Sequence, residues 1–195
     1  MTDKFVFVSE SVTEGHPDKL CDQISDAIVD EYRDSDPGAR IGAECAIANG
    51  IVFIAAHHLA EHNVDVAEIA RSVINDVGYS KGRFNADDCS ILTSLNEVAH
   101  APRIPELGDA AGDDLFDAIV ARQQGTVFGY ACRQTPEFMP LPIQLAHALA
   151  RQLDAARRSG RLSYLAPDSN AQVAVEFEGR QPKRIDTVSL AVSAN

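Results

Sequence analysis

The chain has 195 residues, of which 45% are hydrophobic and 24% are charged, as expected for a soluble globular protein with one large domain or two small ones. Asp and Glu outnumber Lys and Arg by 29 to 17, which gives a net charge of −12. This charge argues against a nucleic-acid groove or an anionic membrane face, because both sites need clustered basic residues. No apolar run approaches the roughly 20 residues of a membrane helix and no charged-then-apolar leader opens the chain, so we expect a cytoplasmic protein.

Elements of the first half alternate between the periodicities of strands and helices. A strand is predicted at 4–8, a helix from Pro17 to the break at Asp36-Pro37-Gly38, strands at 40–48 and 51–56, a helix at 64–77 and a strand at 90–95. The dipeptide Asn49-Gly50 joins two of these strands and is the strongest short hairpin signal in the chain.

The second half begins with a stretch, Glu97 to Gln124, that is rich in Pro, Gly and Asp and that we expect to be a lid or a linker. A strand at 126–132, a helix from Pro142 and strands at 172–177 and 185–192 are predicted beyond it. The order of strand, helix and strand pair thus occurs twice, which predicts an α+β fold whose sheets are covered on one face by helices. We assign residues 1–96 to a first module, 97–124 to the lid and 125–195 to a second module that lacks a closing helix.

The four cysteines lie far apart and have no C-x-x-C spacing, which predicts buried free thiols in a reducing compartment. They are Cys21, Cys45, Cys89 and Cys132.

The run Ser9 to Lys19, S-E-S-V-T-E-G-H-P-D-K, stands between the first strand and the first helix. The start of a helix exposes unpaired N–H groups and a partial positive charge, which suit a phosphate. His16 and Lys19 could contact phosphate oxygens, and Asp18 could hold a metal ion. In isolation, Asp18 and Lys19 could equally be the solvated start of a helix.

This run resembles a signature of the methionine adenosyltransferase, or S-adenosylmethionine synthetase, family. Further resemblance to the amino-terminal half of that family extends over nearly the whole chain. It is carried by Ala43-Glu44-Cys45, the Asn49-Gly50 hairpin, Val127 to Ala131, Met139 to Ile143, Pro167-Asp168 and Gln172-Val173. The resemblance implies three similar α+β modules in the whole family protein and active sites formed between two subunits.

In that family the methionine sulfur attacks C5′ of ATP, and triphosphate leaves and is cleaved to phosphate and pyrophosphate. The resemblance implies that His16 and Lys19 act on the phosphates, that Asp18 binds Mg²⁺ and that Glu44 helps to bind K⁺. It places Asp168, Ser169 and Asn170 against ATP, with His16. From its own strand alone, Glu44 could instead be an edge residue facing water.

The sequence departs from the family at positions that the resemblance places in the active site. The positions that would line the methionine pocket are His57, where the family has a Glu for the amino group, Val98, and Gln123, near which the family has an acidic residue. Asn170 stands where the family has a catalytic Lys, and an amide cannot supply the charge of an ammonium group. The neighbouring His57 and His58 would point to opposite faces of a strand, so we do not expect them to share a metal.

Three hypotheses remain open from the sequence. The chain could be a subunit of a diverged adenosyltransferase, acting on ATP and methionine or another small nucleophile, in a homo- or hetero-oligomer with a chain resembling the carboxyl-terminal half. It could be a non-catalytic structural or regulatory partner of a synthetase. It could also be a piece cut from a longer synthetase.

Overall fold

The fold is seen in a computed structural model that describes residues 3–80, 82, 84–98 and 124–194. Within these residues the elements are β1 (Lys4–Val12), α1 (Pro17–Ser35), β2 (Arg40–Ala48), β3 (Ile51–Leu59), α2 (Val66–Val77), β4 (Ser90–Glu97), α3 (Leu141–Arg158), β5 (Leu165–Glu178) and β6 (Gln181–Ala194). The α+β class is confirmed, and most of the predicted elements are present with longer strands than expected. No helix among the described residues is long and apolar enough to cross a bilayer.

One predicted strand is wrong. Residues 126–132 form no helix or strand in the structure, although their composition is typical of a strand. A strand exists only when a neighbouring strand exchanges backbone hydrogen bonds with it, and the backbone bond described for this segment, from the N–H of Cys132 to the carbonyl of Phe138, lies within the same loop. Its apolar side chains are accordingly exposed, Val127 and Phe128 by 93% and 92% and Tyr130 by 75%.

Two sheets of three strands organise the described residues. The first sheet has the order β1-β5-β6 and is antiparallel throughout. The second has the order β2-β3-β4, with β2 antiparallel and β4 parallel to β3. Since β1 pairs with β5, the two ends of the chain share a sheet. The division at 97–124 stays a prediction, and 99–123 of that range lie outside the described residues.

Each sheet has its own apolar core. The second sheet packs beneath α1 and α2, whose buried residues recur every three or four positions, as in Leu20, Ile24 and Ile28. The first sheet packs beneath α3, where Ala146 meets Val173, and further apolar residues of β5 extend this core. Helices therefore cover one face of each sheet.

The ends of the elements follow local rules. Asn49 and Gly50 both have positive φ, 50° and 80°, as the predicted hairpin turn requires. Asp65 caps α2 by accepting hydrogen bonds from the backbone N–H groups of Ala67 and Glu68. Gly78 ends that helix in the left-handed conformation at φ 112°.

The cysteines are free thiols, as predicted, but only Cys89 is fully buried. Cys21 of α1 and Cys45 of β2 are hydrogen-bonded to each other and half-buried. Burial, with a smaller effect of Cys21, raises the pKa of Cys45 to about 12, so its thiol stays protonated. Cys132 is also half-buried, which corrects the expectation of four buried side chains.

Candidate functional site

The turn between β1 and α1 is fastened to β5 by one buried threonine. The hydroxyl of Thr13 donates to the carbonyl oxygen of Pro167 at 2.6 Å and accepts from the backbone N–H of Ser169 at 2.8 Å. The backbone N–H of Thr13 donates to the carbonyl of Ser169 at 2.9 Å. A buried donor or acceptor left without a partner is costly, so these bonds fix the spacing between the turn and the strand.

Gly15 allows the closest approach between the turn and β5. A Cβ atom at this position would lie 2.4 Å from Cβ and 2.5 Å from the carbonyl carbon of Pro167. The carbonyl oxygen of Gly15 accepts a hydrogen bond of 2.6 Å from the hydroxyl of Tyr79, just beyond α2. The turn is therefore held from two sides, by β5 and by the second helix.

A cluster of charges secures the same turn to α3. Nη2 of Arg157 lies 3.1 Å from Oε1 of Glu14 and 2.6 Å from Oδ1 of Asp154, and Arg158 contacts both carboxylates as well. Burial raises the pKa of Asp154, but hydrogen bonds from Arg157 and Arg158, with the charge of Arg157, bring it below its ordinary value. Asp154 is thus ionised at neutral pH, and Glu14 contacts the same two guanidinium groups.

His16 and Asp168 lie beside the closest approach of this turn to β5, next in sequence to Gly15 and Pro167. His16 caps α1, and its Nδ1 accepts from the backbone N–H of Asp18 at 3.3 Å. Burial raises the pKa of the half-buried Asp168, and the opposing influence of His16 lowers it. Burial, with a smaller effect of Asp168, raises the pKa of Tyr79 to about 12. The structure therefore brings together an imidazole, a carboxyl group and a phenol at the start of a helix.

The remaining residues predicted to meet ATP follow Asp168 along β5. Ser169 is buried, and its backbone groups are engaged by Thr13. The side-chain amide of Asn170 donates to Oε2 of Glu10 on β1 at 3.4 Å, so it helps to join the two strands.

Asp18 and Lys19 are exposed in the first turn of α1. Lys19 lines a cleft against α3 with His147 and Arg151. Its predicted action on the phosphates of ATP stays a prediction.

Three other predicted residues lie on the second sheet. The register pairs Glu44 with Ala55 and Gly42 with His57, which places Glu44 and His57 on the face away from the helices. The ring of His57 covers Gly42, since a Cβ there would come within 2.3 Å of Cε1. Val98 extends the ladder by donating its N–H to the carbonyl of His58 at 2.8 Å. Gln123 lies outside the described residues.

The two histidines of β3 face opposite sides of the sheet, as predicted. His57 is exposed, whereas His58 is 5% exposed and its Nε2 lies 2.9 Å from Oδ1 of Asn63.

The donor groups of the described residues bear on which metal ions the site could hold. Across the described ranges, no three or more His, Cys, Asp or Glu side chains converge as metal ligands. Mg²⁺ in phosphate-transfer sites commonly takes only one or two carboxylates and completes its shell with substrate phosphates and water. The exposed Asp18 fits that pattern. Glu44 offers K⁺ a single exposed carboxylate on the open face of the second sheet.

Several residues of the site had no signal in the sequence analysis. Thr13, Glu14 and Gly15 lie inside the recognised run, but their partners Tyr79 and Arg157 are distant in sequence. His147 of α3 was not among the predicted site residues. It lies 2.8 Å from the hydroxyl of Ser11. Its position on the face of α3 toward β1 could have drawn attention to it.

The chain is similar over nearly its whole length to one group of enzymes. Family models described as the N-terminal and central domains of S-adenosylmethionine synthetase match residues 4–100 and 118–195. S-adenosylmethionine synthases of Synechococcus sp. (strain CC9902) and Prochlorococcus marinus (strain MIT 9313) are each 46% identical over 193 residues, or 96% of this chain. That of Trichodesmium erythraeum (strain IMS101) is 42% identical over 198 residues, or 98% of this chain. The chain spans about half of these relatives, 46% to 47% of their length.

Proposed function

Because the chain belongs to the S-adenosylmethionine synthetase family, we propose that it forms the nucleotide-binding part of a transferase. This enzyme would transfer the adenosyl group of ATP to methionine or a related nucleophile and release triphosphate, cleaved to phosphate and pyrophosphate. The observation that carries the proposal is the close approach of Gly15 to Pro167, fixed by buried hydrogen bonds of Thr13, which holds the adjacent His16 at the start of α1 near Asp168 of β5.

The proposed roles follow from the chemistry of each group. His16 contacts the leaving phosphates, and the start of α1 adds the positive potential of its unpaired N–H groups. Asp168, with Ser169 and Asn170, lies against the adenosine part of ATP. Asp18 would hold Mg²⁺, and Glu44 would help to hold K⁺. Bound cations neutralise the charge that develops on the triphosphate as it leaves.

The nucleophile would bind at the open face of the second sheet. We assign His57, Val98 and Gln123 to this pocket, of which His57 and Val98 lie in the described strands and their extension. A histidine there supplies no negative counter-charge for an ammonium group. A nucleophile that lacks the amino group of methionine is therefore compatible with these residues.

The enzyme would be completed by a polypeptide corresponding to the remaining half of the synthetases. Supporting this proposal, the second matching model is named the central domain, and the chain spans about half of its relatives. Exposed apolar surface points the same way. It comprises Val127, Phe128 and Tyr130, and the row Ile185, Val188, Leu190 and Val192 on β6. We place this assembly, a homo- or hetero-oligomer, in the cytoplasm.

Calorimetric titration with ATP and Mg²⁺ tests the nucleotide site. The protein should bind ATP, and Asp18→Asn should weaken binding in the presence of Mg²⁺. The matched control is Asp34→Asn, which removes the same charge from an exposed position near the end of α1. Equal affinities of the two variants for ATP would refute the proposal. So would a wild type that binds no ATP either alone or in complex with the carboxyl-terminal half of the Synechococcus synthase.

A non-catalytic role is the second candidate, and Asn170 is the observation that favours it. Its amide contacts Glu10 and supplies no positive charge to a phosphate. In this case the chain stabilises or regulates a synthetase. Substituting His16 and Asp18 in the assembled complex separates the two candidates, because turnover would be unchanged only if the chain is structural.

A further inference from the structure

A second site lies on the other side of the β1–α1 turn, in a cleft of about 550 Å³ beneath α3. Its walls come from the end of β1, the first turn of α1 and one face of α3. Its polar lining residues are Ser11, Thr13, Glu14, Lys19, His147, Arg151, Asp154 and Arg158. This volume exceeds that of a phosphate or pyrophosphate ion with several waters, whose share of the liquid is about 30 Å³ each.

The acidic groups of the cleft are already neutralised. Glu14 and Asp154 both contact Arg157 and Arg158, with Asp154 at 2.6 Å from Arg157 and 3.0 Å from Arg158. These two carboxylates and two guanidinium groups balance one another. They therefore oppose an incoming anion far less than isolated carboxylates would.

The remaining cations of the cleft have no such partners. Among the residues that the structure describes, neither Lys19 nor Arg151 forms an ion pair. His147 stands between them, and burial, followed by Arg151 and Lys19, lowers its pKa. Its ring is therefore neutral at pH 7, and its Nδ1 forms a hydrogen bond of 2.8 Å with the hydroxyl of Ser11. In a chain of net charge −12, this is a local excess of positive charge.

We propose that this cleft binds a small oxyanion of the phosphate or pyrophosphate type. Lys19 offers a compact ammonium group and Arg151 a planar fork of N–H donors, the two groups that proteins use for phosphate oxygens. The Ser11–His147 pair adds one neutral donor, because the hydrogen bond between the two side chains uses the other. The cleft differs from the proposed nucleotide site because its lining contains none of His16, Asp18 and Asp168.

The test is a calorimetric titration of the full chain with inorganic phosphate and with pyrophosphate, in EDTA so that no divalent metal can bridge the ligand to Asp18. Arg151→Gln should weaken binding about tenfold, as expected for loss of one charge-assisted hydrogen-bonding group. Arg33→Gln is the control, since it removes the same charge from an exposed position near the end of α1. It should change affinity by less than about twofold, because solvent and salt screen a distant charge.

The ring N–H and C–H resonances of His147 give a second measurement on the unaltered protein. They should shift with added phosphate and follow the calorimetric curve. Unmoved resonances at saturating phosphate, equal effects of the two Arg variants, or no binding at millimolar phosphate would each overturn the proposal. A preference for pyrophosphate over phosphate would identify the diphosphate as the ligand, and the reverse preference would identify the monophosphate.

The outcome is independent of the proposed function. His16→Gln should weaken binding of ATP with Mg²⁺ but leave metal-free phosphate binding intact. If His16→Gln lost phosphate binding while Arg151→Gln kept it, the anion would be assigned to the nucleotide site. That result would refute the proposal that the cleft binds it. Phosphate binding without ATP binding would instead refute the proposed function alone.

Discussion

The two parts of the candidate site are built in different ways. The β1–α1 turn is held by buried hydrogen bonds to β5, a hydrogen bond from Tyr79 and ion pairs to α3. The residues assigned to the nucleophile lie on an open sheet face, where His57 is exposed and rests on Gly42. The first part is therefore organised within this chain, whereas the second is an open face among the described residues.

The largest test of this contrast is Gly15→Ala. The added Cβ would overlap the backbone of Pro167, which cannot move without displacing β5. We expect a loss of about 3 kcal/mol in the free energy of unfolding, at the upper end for overpacking. Gly125→Ala is the control, because nothing lies within 4 Å of its Cβ. Urea unfolding that gives equal midpoints for both variants would contradict the tight fit.

Thr13→Val should have the next largest effect. The substitution keeps the volume of the side chain but leaves the carbonyl of Pro167 and the N–H of Ser169 short of a partner in a buried place. We expect a loss of about 2 kcal/mol in the free energy of unfolding. Thr187→Val, on the exposed face of β6, should differ little from the wild type in the same urea titration.

Asp168→Asn should stabilise the fold slightly while lowering the affinity of the proposed site for ATP. Burial raises the pKa of Asp168 above its ordinary value, so the ionised carboxyl destabilises the folded state at neutral pH. The variant should therefore unfold at a higher temperature at pH 7, by less than the changes above. The difference should begin to shrink as the pH falls through the raised pKa and should vanish only below the ordinary pKa of the carboxyl, where it is protonated in both the folded and the unfolded state. A constant difference at all pH values would contradict this origin.

The smallest change in stability is expected for His57→Ala on the open face. The ring is exposed, so its loss should alter the free energy of unfolding by no more than about 0.5 kcal/mol. If the face is covered in an assembled enzyme, the same variant should alter the Michaelis constant of the nucleophile more than that of ATP. A large loss of stability in the isolated chain would show that His57 supports the fold.

The sequence predicted those features that depend on nearby residues. The Asn49-Gly50 turn, the helix that begins at Pro17 and the apolar spacing of α1 and α2 are local, and all are present. The failure at 126–132 has the same explanation. Residues such as Val127 and Phe128 favour an extended chain, but propensity cannot supply the neighbouring strand that such a chain must bond to.

The supports of the site depend on distant pairings that periodicity does not encode. The bonds of Thr13 to β5 and of Glu14 to Arg157 require the chain to bring its two ends together. The recognised run identified His16, Asp18 and Lys19 as a group. It could not indicate that Lys19 faces α3 with His147, because that depends on how the helices pack.

The pairing of β1 with β5 also has a consequence for synthesis of the protein. Lys4–Val12 leaves the ribosome before the second sheet, and its partner Leu165–Glu178 leaves after that sheet. The second sheet and its two helices can form meanwhile from contacts close in sequence, whereas the run from Phe5 to Val8 waits as an unpaired apolar edge. Until β5 has been made, the unpaired edge of β1 is therefore a site at which nascent chains can aggregate.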